Sequence, residues 1–499
     1  MNKDFFSKER FKYIIILALF NYIFLGTEYL FDNIVGDIKP QSVVTAQSYI
    51  LGASVLGFLF FAIIKKYINK KLKYGLLSAF IVVETLLFAL MEYSESYGFV
   101  VITGCVMFAL FGVMGSAVYY IASVYLKSNR NVASTIGLAY GLGIMFQFGD
   151  NNIVASKIAR LIIFAIVLVV WIAIILNLYL EENAESQNEK SRKVKYEKTE
   201  SKNIECKNTA SKNAEYKNSR ITAIVLIITI MLMACIFSTL DNIVTYYHSK
   251  GIMDIGQYPR LLLAISGVVA GVLFDLKERK LMCLIMYSVT LLSTICMLVI
   301  TMGEPFIIGC NGGWAEVIFY TTFRLVVFYL SAGFFSVFFT TAFVNLSFEM
   351  KTPELWAGMG RATNNLCAAL MGTVFFSLFN STNMLSNSIV IIILFVFVSI
   401  FMAIYYGKNS KKSYVAESLE SDDNKMENFV QQFSLSKREC EVLETLLKSD
   451  KNVKEIAQEL YISRAALYRH ISNMNEKTDT KSREGLIKFY YQWEKSGKN

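Results

Sequence analysis

The sequence predicts an all-α polytopic membrane protein that ends in a small soluble helical domain. Three observations carry this. Apolar residues make up 54% of the 499 and charged residues only 18%, against about 45–50% and about 25% in soluble domains. Uncharged runs near 20 residues, long enough to cross a bilayer as helix, recur as far as residue 406. Beyond that point the chain turns polar, and its apolar residues follow the short period of compact amphipathic helices. With 38 Phe, 28 Tyr and only four Pro, long aromatic-rich helices are expected. A mean hydropathy of +0.43 excludes a disordered chain, a disulfide-stapled secreted fold and a soluble α/β enzyme.

Twelve runs read as spans, at 14–30, 43–64, 74–91, 98–126, 132–151, 161–180, 221–241, 259–274, 281–302, 323–346, 356–379 and 387–406. The charged N-terminus passes into the first span with no small-residue cleavage site, so that span is read as retained. Between the sixth and seventh lies a stretch of Glu, Lys, Asn and Ser, 181–220, which cannot bury a core. The expected division is a six-helix half (1–180), a polar linker (181–220), a second six-helix half (221–406), a second linker (407–428) and a tail domain (429–499).

Lys and Arg give the orientation. Loops after even-numbered spans carry Lys65, Lys66, Lys70, Lys71 and Lys73, then Lys127 and Arg130, then the Lys-rich linker, then Lys277, Arg279 and Lys280. Loops after odd-numbered spans are poor in them; Lys39, Lys157 and Lys250 are exceptions. The bias places both termini, and the tail, on the cytoplasmic side of the membrane.

Two internal features bear on the membrane part. FDNIV at 31–35 and LDNIV at 240–244 close spans one and seven, as expected of a duplicated core. Gly271-Val-Leu-Phe-Asp275-Leu-Lys-Glu-Arg279-Lys280 lies at the cytoplasmic end of span eight. That segment resembles the loop motif of the major facilitator superfamily, retaining Gly271, Asp275, Arg279 and Lys280 but carrying Leu276 and Glu278 where an Arg and a Gly are usual. The resemblance implies a six-plus-six bundle whose loop acid and cations latch neighbouring helices. Ionisable groups within spans are expensive and often functional. Glu28, Glu84, Asp241 and Arg324, with Asp275 and Arg279, are therefore the candidates for a ligand pocket or helix latch; Asp32, Asp150 and Arg361 are further ionisable groups in or near spans. The bland reading is helix-to-helix pairing that only holds the bundle together.

In the tail, Ser436 with Glu439 and Asn452 with Glu455 have capping-box spacing. Val442, Leu443, Leu446 and Leu447 give one helix an apolar face, as Val453, Ile456, Ala457 and Leu460 give the next. A tight turn at 461–463 leads to a helix capped by Ser463. Its Leu467, Ile471 and Met474 face inward, while Arg464, Ala465, Tyr468, Arg469 and Ser472 face out. A last helix starts at Ser482. Two short helices, a tight turn and a basic outer face form a helix-turn-helix pattern sized for a DNA major groove. No acid lies between Ser463 and Asn475 to repel phosphate. The same pattern also suits a protein-docking domain.

The runs LSKRECEVL (435–443), KEIAQELYIS (454–463) and LYRHISNMNEKT (467–478), followed by Ser482-Arg483, resemble the LuxR-type helix-turn-helix family. The resemblance implies a four-helix domain that binds double-stranded DNA as a homodimer. It places Lys454, Ser463, Arg464 and His470 at or near phosphate, and Tyr468, Arg469 and Ser472 towards bases. Tyr468, Ala465 and Ala466 depart from the usual pattern, which bears on sequence preference rather than fold.

Eight Cys, none spaced as C-x-x-C, and two distant His give no clustered metal ligands. No catalytic constellation appears, so neither an enzyme nor a cofactor is expected. The expected function is a membrane-anchored transcriptional regulator, whose transporter-like bundle senses an unknown small molecule and controls the tail. The alternative is a working transporter of the major facilitator type with a regulatory DNA-binding tail. Lipid and DNA are the expected partners.

Overall fold

The computed structural model describes residues 8–67, 70–126, 131–154, 156–193, 205–249, 258, 260–309, 314–372, 384–448 and 452–493. The chain divides into two compact units, Met1–Lys408 and Asn409–Asn499.

Among its described residues the first unit consists of helices joined by short turns. Its long helices are α1 (Lys8–Ile38), α2 (Val43–Tyr67), α3 (Lys70–Glu92), α4 (Tyr97–Leu126), α5 (Val132–Ile153), α6 (Lys157–Lys193), α7 (Glu205–Ser249), α8 (Arg260–Phe274), α9 (Met282–Gly309) and α10 (Trp314–Ser347). Short α11 (Pro353–Trp356) and α12 (Met359–Leu370) follow, then α13 (Met384–Gln432). Among the described residues, nine helices are long and apolar enough to cross a membrane, with two shorter apolar helices at Arg260–Phe274 and Met282–Cys296. The eleventh expected span differs from a plain apolar run: it breaks after Trp356, and α12 carries Arg361, Thr363, Asn364 and Asn365. Residues 373–383 of that region lie outside the described residues. Helices α6 and α7 run into the polar stretch 181–220, of which 194–204 lies outside the described residues. The stretch 407–428 is helical, as the continuation of α13.

Burial is arranged for a lipid solvent. Leu56, Val82, Ile102 and Leu292 are each more than half exposed although they lie within apolar helices. Outward-facing apolar residues are what a bilayer requires, because the helix already satisfies its own backbone. Inside, Phe20, Phe24, Phe31, Phe108 and Phe111 are fully buried, and Trp171 donates its indole N–H to the Ile16 carbonyl at 3.0 Å. Glycine permits a close helix approach: a Cβ on Gly271 of α8 would lie 2.7 Å from the Ala133 carbonyl oxygen and 3.0 Å from Gly137 Cα of α5. Any side chain there would force the two helices apart.

The second unit has its own core of Phe429, Val442, Leu443, Leu446, Ile456, Leu467, Met474 and Leu486. Its helices after α13 are α14 (Lys437–Lys448), α15 (Val453–Glu459), α16 (Arg464–Thr478) and α17 (Arg483–Gln492). Phe429 sits edge-on to Tyr490 and Trp493, at ring separations of 5.1 and 5.2 Å, and ties the start of the domain to its last helix.

Candidate nucleic-acid interface and intramembrane cavity

In the second unit, side-chain caps fix where each helix begins. Ser436 N–H donates to Glu439 Oε2 at 2.8 Å, and Glu439 N–H donates back to Ser436 Oγ at 3.3 Å. Asn452 and Glu455 make the same reciprocal box at the start of α15. Ser463 Oγ accepts from Ala466 N–H at 3.1 Å and starts α16. Between α15 and α16, Tyr461 takes a left-handed conformation (φ 53°), and Ile462 N–H reaches back to the Ala457 carbonyl at 2.9 Å. This closes the helix end as a Schellman-type turn. Asp479 ends α16 in the same left-handed region, which Asp adopts more readily than most residues.

With those ends fixed, α16 buries Leu467, Ile471 and Met474 and exposes Arg464, Ala465, Tyr468, Arg469 and Ser472. At about 100° per residue the exposed set spans an arc of about 140°, with Arg464 and Arg469 at its two edges. Tyr468 is 59% exposed. Lys454 and Ser463 are exposed near the start of the two helices, and His470 is half-buried on the flank beyond Arg469. Lys477 does not join this face: its ammonium bonds Glu439 Oε2 at 2.7 Å and the Ser434 carbonyl at 3.0 Å. Burial pushes the Glu439 carboxyl up, but the bonds from Lys477 and Ser436 outweigh it and hold the group below its ordinary range. Arg438 likewise donates to the Leu460 carbonyl at 2.7 Å and closes the end of α15.

In the first unit, a cavity of about 140 Å³ lies between α1, α2 and α5 on one side and α7, α8, α10 and α12 on the other. Glu28, Asp32, Asp241, Arg260 and Arg361 line it. Glu28 accepts from Gln47 Nε2 at 3.0 Å. Arg260 donates Nε and Nη2 to Gln147 Oε1 at 3.1 and 2.9 Å. Arg361 lies over the Phe24 ring at 5.4 Å and the Phe339 ring at 5.7 Å. Two candidates from sequence, Glu28 and Asp241, thus meet in one cavity. Glu84 does not line it: it is fully buried in α3, and neither carboxyl oxygen has a hydrogen-bond partner among the described residues. The side chain of Arg324 lies outside the described residues. Arg260, at the very start of a span, was missed by sequence, because a cation there reads as an ordinary helix end. Asp150 lines a separate cavity with Tyr22, Asn33, Asn151 and Arg160.

Asp275 acts across helices. Its Oδ1 accepts Ala133 N–H at 3.0 Å and its Oδ2 accepts Ser134 N–H at 2.7 Å, so a residue following α8 caps α5. Asn131, in the N-cap position of α5, makes no side-chain cap bond. Arg279 lies 3.7 Å from Asp275, and Arg10 donates to Ser134 Oγ at 2.9 Å and Thr135 Oγ1 at 2.8 Å. A second tie joins Lys65, at the end of α2, to Glu354 of α11 at 3.8 Å.

The profile of the luxR family of bacterial regulatory proteins matches residues 433–490. The spore germination protein GerE of Bacillus subtilis (strain 168) is 49% identical over 53 residues, which are 11% of this chain and 70% of that protein. Among solved structures, the major facilitator superfamily proton:xylose symporter XylE, bound to 6-bromo-6-deoxy-D-glucose, superposes with a TM-score of 0.49 at 13% identity. That superposition covers 80% of this chain and 96% of the symporter.

Proposed function

Because the chain belongs, through its C-terminal domain, to the luxR family of bacterial regulatory proteins, we propose that it is a membrane-anchored transcriptional regulator. The observation that supports this most is the outer face of α16. Arg464, Tyr468, Arg469 and Ser472 stand exposed on a helix whose caps and core hold it rigid, and none of them is used to hold the domain together. Such a face suits a major groove, with Arg469 and Tyr468 towards base edges and Lys454, Ser463, Arg464 and His470 towards phosphate. DNA of two-fold symmetry would take two copies of the domain. The Lys and Arg bias of the loops supports a cytoplasmic position for it.

The membrane unit is, in this reading, the sensor. Its cavity lies between two helix groups that are tied together by Asp275 on α5 and by Lys65 on Glu354. Both ties follow even-numbered spans, so the positive-inside reading puts them on the cytoplasmic side. A ligand that binds the tied and untied arrangements unequally shifts their populations by its differential affinity. That shift is the available signal to the tail. A transporter reading shares the cavity and differs in predicting net flux. The test of the DNA reading is a mobility shift with residues 429–499. Salt-sensitive binding that Arg469→Ala weakens supports it; binding that is absent, or indifferent to Arg469→Ala, rejects it.

A further inference from the structure

The two sequence repeats, FDNIV and LDNIV, end α1 and α7, and their acids line one cavity. Asp32 and Asp241 are brought to the same space as Glu28, near enough for the carboxyls to interact electrostatically with one another and with Arg260. Two Arg also line the cavity, yet among the described residues no ion pair within 4.0 Å joins either to these carboxyls. Arg260 is directed to Gln147, and Arg361 lies against Phe24 and Phe339. Asp32 is only 4% exposed, and its Oδ1 has no hydrogen-bond partner among the described residues.

A buried carboxyl oxygen without a partner, as on Asp32, is costly, and the nearby carboxyls of Asp241 and of Glu28, itself bonded by Gln47, add like charge to it. The wall also carries aromatic rings, among them Tyr29, Tyr140, Phe237, Phe328, Tyr329 and Phe335, interspersed with aliphatic and uncharged polar side chains. Aromatic faces attract cations and repel anions.

We propose that the cavity binds an organic cation with an apolar body, its positive charge held by the repeat-encoded pair Asp32 and Asp241 together with Glu28. The proposal rests on reading this cavity as the ligand site, and it names the ligand's chemical class. It also gives the repeat a purpose: each half of the membrane unit contributes one carboxyl, so a bound cation bridges the halves. A cation held by both halves stabilises whichever arrangement brings them nearest.

The test uses the full-length protein in dodecyl maltoside micelles, with empty micelles subtracted. The probes are tetraphenylphosphonium and its near-isosteric anion tetraphenylborate. The expected result is saturable binding of the cation and none of the anion. Asp32→Asn and Asp241→Asn should each weaken cation binding at least tenfold, Asp32→Glu should restore most of it, and Glu84→Gln should change it less than twofold. Thermal melting of each variant checks that it is folded. Absence of saturable cation binding, equal binding of the anion, or wild-type affinity in both Asp→Asn variants would overturn the proposal. A mobility shift on the same preparations keeps the two readings apart. Cation binding that leaves DNA affinity unmoved would remove the sensor and keep the ligand class. DNA binding without cation binding would remove the ligand class and keep the DNA-binding reading.

Discussion

Asp275 caps a helix to which it is not connected: its carboxylate takes the Ala133 and Ser134 N–H groups at the start of α5, with Ser134 the closer at 2.7 Å. A carboxylate at a helix N-terminus satisfies orphan donors and meets the positive end of the helix dipole. Removing a cap of this kind costs about 1–2 kcal/mol. Asp275→Ala is therefore expected to raise the population of the untied arrangement roughly 5- to 30-fold. Spin labels at Lys66 and Lys351 report on the other tie, between α2 and α11. A broadened, longer distance distribution in Asp275→Ala supports a joint closure; an unchanged distribution shows that the ties act independently.

Glu439 gives the tail a pH dependence with a defined sign. Its folded carboxyl titrates below the ordinary range, because the Lys477 and Ser436 bonds outweigh burial. The stability it contributes is present above the unfolded Glu value of about 4.3 and is lost as pH falls through the folded value. Glu439→Gln should cost about 1.5–3 kcal/mol at pH 7 and flatten that acid limb. Urea unfolding of residues 429–499 at pH 7 and at about pH 3, below the unfolded value, measures it. Parallel loss of stability in the two proteins would show that another group carries the effect.

Ser463 and Arg469 separate holding from reading. Ser463→Ala removes the cap of α16 and should lower stability by about 1 kcal/mol, or about 4–8 °C in Tm for a domain this small. Arg469→Ala should leave Tm within a degree or two, because the side chain lies on the exposed face, while weakening DNA binding about 10- to 100-fold. Equal losses of Tm and affinity in Arg469→Ala would make it a structural residue.

Lys454 and Arg464 are expected at phosphate, and phosphate contacts have their own signature. Each substitution to Gln should reduce the slope of log affinity against log salt by about 0.9, with little effect on the preference among sequences. A change in sequence preference with the slope retained would move that residue to the bases.

How much of this was legible in the sequence depends on the range of the interaction. The tail's caps at Ser436, Asn452 and Ser463 are local, three residues from donor to acceptor, and each forms as the spacing implies. Leu467, Ile471 and Met474 turn inward because period alone decides which side of a short helix is apolar. Spans were legible from apolarity, but hydropathy cannot tell a cavity wall from a lipid face. The region after Trp356 shows the difference: Arg361, Asn364 and Asn365 are polar because they line the cavity. Glu28 and Glu84 looked alike in sequence, yet one faces the cavity and the other is packed away from it. Arg260 and the partners of Asp275 depend on contacts between distant helices, which no local pattern announces.

The central claim is that a lipid-embedded helical unit carries a domain that reads DNA. Crosslinking the intact protein to chromosomal DNA in living cells, followed by sequencing of the captured fragments, tests it most directly. Discrete enriched sites that disappear in Arg469→Ala, with equal amounts of both proteins in the membrane, are the expected result. No enrichment above an untagged control, or enrichment that Arg469→Ala leaves intact, would contradict it.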